Sequence, residues 1–328
     1  MLLVEYAAFD DGLLVFGVRK DWDRPEMVAL TVDEAELTLF IDANFSSHHT
    51  VRAMLDYGME DQWHAYDFLI QPLSRWAQPD DIICLIPHGR LHYLPLHALR
   101  IDGAYLIERN PVVYSPSASV LHHCRSRRRP SGPARSGWGA AVFADSRCNL
   151  PQARVEAARI GELLGSEPLL GDRVTRENLI REVTGADIIH IAGHAEFHRA
   201  NALDSGIQLA GTDVMTAADV FGLDAIDTDL VTLSACETGV SENHPGDELI
   251  GLTRAFLYAR ASSVLVSLWA VADESTAFLM ERFYTHLLGR PDGLKADALR
   301  QAILDTKDRA GWESFFYWAP FVLIGDWR

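Results

Sequence analysis

The stretch LVTLSACETG, Leu230–Gly239, sets a thiol where an apolar run ends. Leu230–Ala235 reads as a buried strand, and Cys236 follows it, at the point where a strand gives way to a loop. Two other segments share its register. DIICLIPHG from Asp81, DIIHIAGHA from Asp187 and DLVTLSACE from Asp229 each carry a reactive side chain seven positions after the aspartate: His88, His194 and Cys236. If the last two strands run parallel as neighbours, His194 and Cys236 emerge together at the carboxyl edge of a sheet, where open α/β folds hold their ligands. An imidazole there can deprotonate or orient a thiol whose free pKa is near 8.5, which makes a nucleophile at neutral pH. Spacing alone leaves the plainer reading open, a half-buried structural cysteine and a satisfied core histidine.

The elements needed to position such a pair are readable along the chain. LLVEYAAF, a turn at Asp10-Asp11-Gly12 and LLVFGVR form an expected hairpin, followed by a helical region that includes Trp63–Trp76. IICLIPHG and the segment near Pro111–Tyr114 read as extended. Between Cys124 and Trp138 the composition turns to RSRRRPSGPARSG, which buries nothing and reads as an exposed linker, so a boundary is placed there. Beyond it strands and helices alternate. WGAAVFAD, IIHIAG, LVTLSA and SSVLVSLW are expected strands, and IQLAGTDVMT a small hairpin turning at Gly211-Thr212. PQARVEAARIGELLG is an expected helix carrying Val155, Ala158, Leu163 and Leu164 at helical spacing and stopping at Gly165. Thr175, Thr216 and Asp247 are expected helix caps, with Leu179, Ile180 and Val183 inside the first of those helices. After Asp273, apolar pairs recurring every four residues through Leu287/Leu288 describe a buried helical face. Nearly all-apolar strands alternating with helices imply a mostly parallel sheet with helices on both faces.

Bulk properties narrow the function. The chain has 328 residues, 48% of them hydrophobic, and a formal net charge of −17. That charge argues against a nucleic-acid binder relying on phosphate neutralisation. The four cysteines show no CxxC spacing and are too sparse for a disulfide framework. Met1 leads directly into strand-like residues rather than a secretory leader, and no apolar run approaches the roughly 20 residues that span a bilayer. A reducing cytoplasm, with no membrane and no nucleic-acid partner, is the expectation.

At these residues the sequence resembles the CHAT domain, a bacterial caspase-like family related to separase and the caspases. The matching segments are IIHIAGHAEF, LVTLSACETG, the run from GDELIGLTRAF to ERFYTHLL, and FYWAPFVLIGD. IPHGRLHYLPLHALR and YLIERNPVVYSPSASVL extend the likeness into the first half. The resemblance implies a noncatalytic caspase-like half over 1–124, the linker over 125–137 and a catalytic half over 138–328. It implies a cysteine endopeptidase that needs no cofactor, with Cys236 as nucleophile and His194 as general acid or base. The oxyanion would be held by the backbone N–H groups of Cys236 and Ala195; caspases have glycine at the second position, and alanine restricts the backbone torsions there.

No third member of a triad is evident; Glu196 and Glu237 qualify only by adjacency. Glu237, Asp247 and Asp273 are candidates for the substrate pocket, although Asp273 is read first as a helix cap. Separase-like relatives that accept arginine carry an acidic residue where this chain has Ala270, which weakens a basic preference there. His190, His194 and His198 are spaced by four, but in a strand that spacing brings no ligands together, so no metal is expected. Relatives of this kind carry tetratricopeptide or sensor domains and several act in phage defence on a dedicated target, which implies a protein substrate and a regulatory protein or sensor chain. No 34-residue helical repeat is present. The competing reading is a catalytically silent scaffold that holds a peptide in the same groove.

Overall fold

In a computed structural model, the described residues are 1–9, 12–45, 48–58, 60–126, 138–196, 201–223, 226–235, 246–269, 273–290 and 293–328. They build one 11-stranded sheet. Its strands in chain order are β1 Leu2–Phe9, β2 Gly12–Arg19, β3 Glu26–Thr31, β4 Ile83–Ile86, β5 Val112–Tyr114, β6 Ala140–Ala144, β7 Leu169–Leu170, β8 Ile188–Gly193, β9 Leu230–Ala235, β10 Ser263–Ser267 and β11 Phe321–Gly325. Across the sheet they lie in the order β3-β2-β1-β4-β5-β11-β10-β9-β8-β6-β7. The helices used below are α1 Glu34–Phe45, α2 His48–Asp56, α3 Ala118–Ser126, α4 Pro151–Leu164, α5 Arg176–Val183, α6 Ala217–Phe221, α7 Gly246–Tyr258, α8 Asp273–Gly289 and α9 Lys295–Lys307.

Pairing is antiparallel at β1–β2, β2–β3 and β10–β11 and parallel elsewhere in the sheet. The turn of direction at β10–β11 has a large consequence. β1, β4, β5 and β11 point one way, and β10, β9, β8, β6 and β7 point the other. The carboxyl ends of β4 and β8 therefore lie at opposite edges of the same sheet. The two expected strands pair as a hairpin, residues 10 and 11 of its turn lying outside the described residues, and β3 extends it where a helical region is expected to begin. That strand alternates between exposed and half-buried residues, a weak pattern on an edge. α3 runs through Ser126, and residues 127–137 of the expected linker lie outside the described residues.

Every residue of β8 is buried, as a strand covered on both faces requires. Alternation assigns the faces. Ile189 and Ile191 face a cavity shared with Leu179 of α5, Val220 of α6 and Phe256 of α7. His190 faces the other side, where its Nδ1 lies 3.3 Å from the Tyr284 hydroxyl of α8. The amino- and carboxyl-terminal portions share one core: Phe45 stacks 6.0 Å from Trp269, and Trp63 lies 5.2 Å from Phe315, ring centre to ring centre.

Local signals hold with adjustments. Thr175 and Thr216 cap α5 and α6, accepting from Asn178 N and Asp219 N. Gly165 ends α4 in the left-handed conformation at φ 66°, which glycine adopts without a Cβ clash. The inner face of α4, however, is Glu156, Ala157, Ile160, Gly161 and Leu164, while Val155 and Leu163 are exposed. A Cβ on Gly161 would lie 2.6 Å from the Ser166 carbonyl oxygen, so the segment after the helix folds back closely over this residue. In α5, Leu179 and Val183 are buried and Ile180 is exposed. Five of the six apolar residues recurring along α8 are buried: Leu279, Met280, Phe283, Tyr284 and Leu287. α7 and α8 begin at Gly246 and Asp273, so Asp247 and Asp273 fall within first turns rather than before them.

Candidate active site

Register brings the predicted strand tips together. β8 and β9 run parallel from Ile188↔Leu230 to Gly193↔Ala235, so His194 and Cys236 are the next residues of two adjacent strands. Cys236 and Glu237 lie outside the described residues, as do the side chains of Asp247 and Asp273. His194 is described, and it is buried. Its backbone oxygen accepts from Gln208 N at 2.9 Å, and its ring Nε2 lies 2.8 Å from Asn149 Oδ1. With the amide oxygen facing the ring, Nε2 carries the proton and donates, and Nδ1 becomes the nitrogen able to take one.

Asn149 escapes a reading of motifs. It sits in the loop after β6, the strand on the far side of β8 from β9. That loop is folded around Asp145, whose N–H donates to Ala192 O at 3.0 Å. Asp145 Oδ1 accepts from Asn149 N and Leu150 N, both at 2.7 Å, and its other oxygen pairs with Arg154. Burial works to raise the Asp145 carboxyl, but the Arg154 hydrogen bond and the Leu150 and Asn149 amides outweigh it and hold it below the usual carboxylate range. Ser146 Oγ donates to the Gln208 carbonyl at 2.6 Å, and Arg147 Nε to its side-chain oxygen at 3.2 Å. Gln208 therefore ties the loop to the strand segment of His194. The only sequence signal for this arrangement is an Asp at the end of a predicted strand followed by Asn two residues before a helix-starting Pro.

Ala195 opens a small antiparallel sheet built from Ala195–Glu196, Gly206–Gln208 and Val214–Thr216. Arg176 of α5 braces its far side through ion pairs to Asp213 and Asp219, both at 2.9 Å. Gly193 has no left-handed backbone, and a Cβ built there would meet nothing within 4 Å. Its glycine is thus not a requirement of the turn before His194; it leaves an open space. Around His190, Nε2 approaches Glu156 Oε1 at 3.0 Å without the angle of a hydrogen bond. Tyr284 Oη also lies 2.8 Å from Thr232 Oγ1, so a buried polar chain runs beneath the strand tips. Among the described residues no three His, Cys, Asp or Glu side chains gather closely enough to hold a metal ion, and no helix is long and apolar enough to cross a membrane.

The first half presents the contrasting tip. His88, after β4, is exposed and precedes a 3-10 turn over Gly89–Tyr93. The three leading aspartates do structural work at the opposite ends of their strands. Asp81 pairs with Arg19 at 2.5 Å, Asp187 Oδ2 accepts from Gly139 N at 3.0 Å, and Asp229 pairs with the buried Lys295 at 3.0 Å.

Comparison with known proteins agrees with this architecture. Tetratricopeptide repeat protein 28 of mouse is 28% identical over a stretch covering 79% of this chain and 13% of its own length, so the chain spans about an eighth of that relative. Separase in the Saccharomyces cerevisiae separase–securin complex superposes with a TM-score of 0.53 at 14% identity, over 75% of this chain and 16% of that one. The RgpB proteinase of Porphyromonas gingivalis, in the complex of its pro- and mature domains, superposes with a TM-score of 0.53 at 11% identity, over 79% of this chain and 67% of that one. The fold is that of the caspase-like cysteine proteases. The CHAT domain family matches residues 63–326, most of the chain, and the protein belongs to that family.

Proposed function

We propose that this protein is a cysteine endopeptidase in which Cys236 and His194 act as a dyad. The observation that carries the reading is the Gly193↔Ala235 pairing, which makes these two residues successors on adjacent parallel strands. Parallel neighbours lie about 4.8 Å apart, within reach of a thiol and an imidazole. His194 Nδ1 takes the Cys236 proton, and the thiolate attacks the peptide carbonyl carbon to form a C–S bond. The carbonyl oxygen becomes an oxyanion, held by the N–H groups of Cys236 and Ala195. The imidazolium then gives its proton to the leaving amine as the C–N bond breaks, and water hydrolyses the thioester. Asn149 acts as the positioning residue, fixing the ring and its tautomer.

The family, and a relative whose name includes tetratricopeptide repeats, support protein substrates and regulation by a partner as part of this reading. A defence or cell-death role against a dedicated target is part of the same proposal, as is a cytoplasmic site of action. The deciding test is to incubate the protein with the products of its neighbouring genes. Cleavage of one of them, lost in Cys236→Ala and in His194→Ala, is the expected result. A target that binds but is never cut would make the domain a scaffold.

A further inference from the structure

A groove runs where the amino- and carboxyl-terminal portions meet over one face of the sheet. Val322 and Ile324 stand two apart on β11 and so share that face, opposite Val266 and Val264 of β10. They form the apolar floor, which Leu268 extends at the end of β10. One wall is α7, through Thr253 and Arg254. The other comes from the amino-terminal portion, through the 3-10 turn after β4 and through Tyr114 and Ser115 at the end of β5. About 50 Å3 is open to the centre of a water molecule, and about 620 Å3 of unfilled space is present once the mouth is included. One water needs only about 10–15 Å3 by the first measure, so the interior has room for a slender molecule.

The polar groups on this groove are unequally committed. Tyr114 Oη is engaged with His97, and Ser115 Oγ donates to the Ser117 carbonyl at 2.8 Å. Thr253 is 2% exposed, and its Oγ1 has no hydrogen-bond partner. A helical threonine can satisfy its hydroxyl on a carbonyl of the preceding turn, so a buried one left over points to an occupant. Arg254, the next residue, is exposed at the groove and forms no ion pair with a described residue. An apolar floor, one uncommitted hydroxyl and one guanidinium together define a complementary ligand. Its body is apolar and narrow, and its head is an anion that accepts hydrogen bonds. With a net charge of −17 on the chain, a head with a single negative charge suits one arginine better than a multiply charged one.

We propose that this groove binds a small amphipathic monocarboxylate, its apolar chain over Val322 and Ile324 and its carboxylate held by Arg254 and the Thr253 hydroxyl. A guanidinium meets a carboxylate with two parallel N–H donors, which fixes the head while the chain displaces water from the floor. The ligand would touch both portions of the chain. This inference does not depend on the proteolytic reading.

The test titrates the full-length protein with octanoate and, separately, with 1-octanol, which keeps the chain and lacks the charge. Binding is followed by calorimetry. Octanoate is expected to bind saturably, one molecule per chain, with a Kd on the order of 0.1 mM, and 1-octanol at least about 10-fold more weakly. Arg254→Gln, a change at an exposed position, should weaken octanoate about 10-fold or more and 1-octanol less than about 2-fold. Thr253→Val keeps the shape and should weaken octanoate about 3- to 10-fold. Leu268→Trp, which fills the end of the groove, should abolish binding of both. Circular dichroism and the thermal midpoint confirm that each variant is folded. Equal affinities for octanoate and 1-octanol, or an octanoate affinity unchanged in Arg254→Gln, would overturn the carboxylate assignment. Non-saturable uptake, or binding that persists in folded Leu268→Trp, would overturn the site itself.

Discussion

His88 and His194 stand at equivalent places in two look-alike strands, yet the fold treats them oppositely. His194 follows a strand flanked on both sides by parallel neighbours, β6 and β9. Its ring is buried against Asn149. His88 follows β4 between β1 and β5, at the opposite edge of the sheet, and is exposed. The difference lies in the company each tip keeps. Beside β8, the next strand ends one residue before a thiol and the other leads into a loop that carries an amide to the ring. Beside β4, the adjoining tips offer Tyr114 and Ser115, and Tyr114 is already engaged with His97 Nδ1 at 2.8 Å. A strand pattern thus makes a site only where its neighbours end in complementary chemistry.

The sharpest way to break this contrast is to exchange the roles by mutation. Cys236→Ala and His194→Ala are expected to lower peptide-probe labelling or cleavage by about 10³-fold or more, whereas His88→Ala changes it less than about 2-fold. A large loss from His88→Ala would show that the first half reaches the chemistry after all.

The amino ends of the strands come next. Lys295→Met leaves Asp229 charged and buried, and it should cost about 3–5 kcal/mol in urea unfolding. Removing Arg19 from the partly exposed Asp81 pair should cost only about 1 kcal/mol. Similar losses at both places would mean that the two portions are anchored alike.

Asn149→Ala is expected to lower kcat by about 10- to 100-fold with little change in KM, and to move the acidic limb of the pH–rate profile, because the ring loses its tautomer-fixing partner. Asn149→Gln, with its longer reach, serves as the partial-rescue control. A uniform rise in KM with an unmoved pH profile would reduce Asn149 to a packing role.

The smallest effect concerns Asp145. Because its folded pKa is depressed, the stability it contributes is present above the unfolded value near 4 and is lost as pH falls through the lower folded value. Asp145→Asn should therefore be about 1–2 kcal/mol less stable than the wild type at pH 7, and the gap should close only in strong acid. A gap that is constant with pH would indicate that the carboxylate's charge is not what holds the loop.

Much of the carboxyl-terminal portion was legible. Apolar runs placed β6, β8, β9 and β10 within a residue or two, and Thr175, Thr216 and Gly165 marked helix ends through local hydrogen bonding and backbone freedom. Glu156 was not. A charged residue on a helix is normally read as solvent-facing, yet Glu156 lies on the buried face of α4 with Ala157, Ile160 and Leu164. Asn149 had no periodicity to announce it, since it depends on a loop wound around one aspartate.

What the sequence determined by itself is local. It set which segments are strands, where each ends, and which side chains stand at those ends, because hydrophobic period and turn chemistry are properties of a few consecutive residues. Only the tertiary structure decided direction and company: that β11 pairs antiparallel to β10 and so sends the two portions to opposite edges, and that Asn149 meets His194. Those outcomes come from pairing between residues far apart in the chain, where no local pattern selects one neighbour over another.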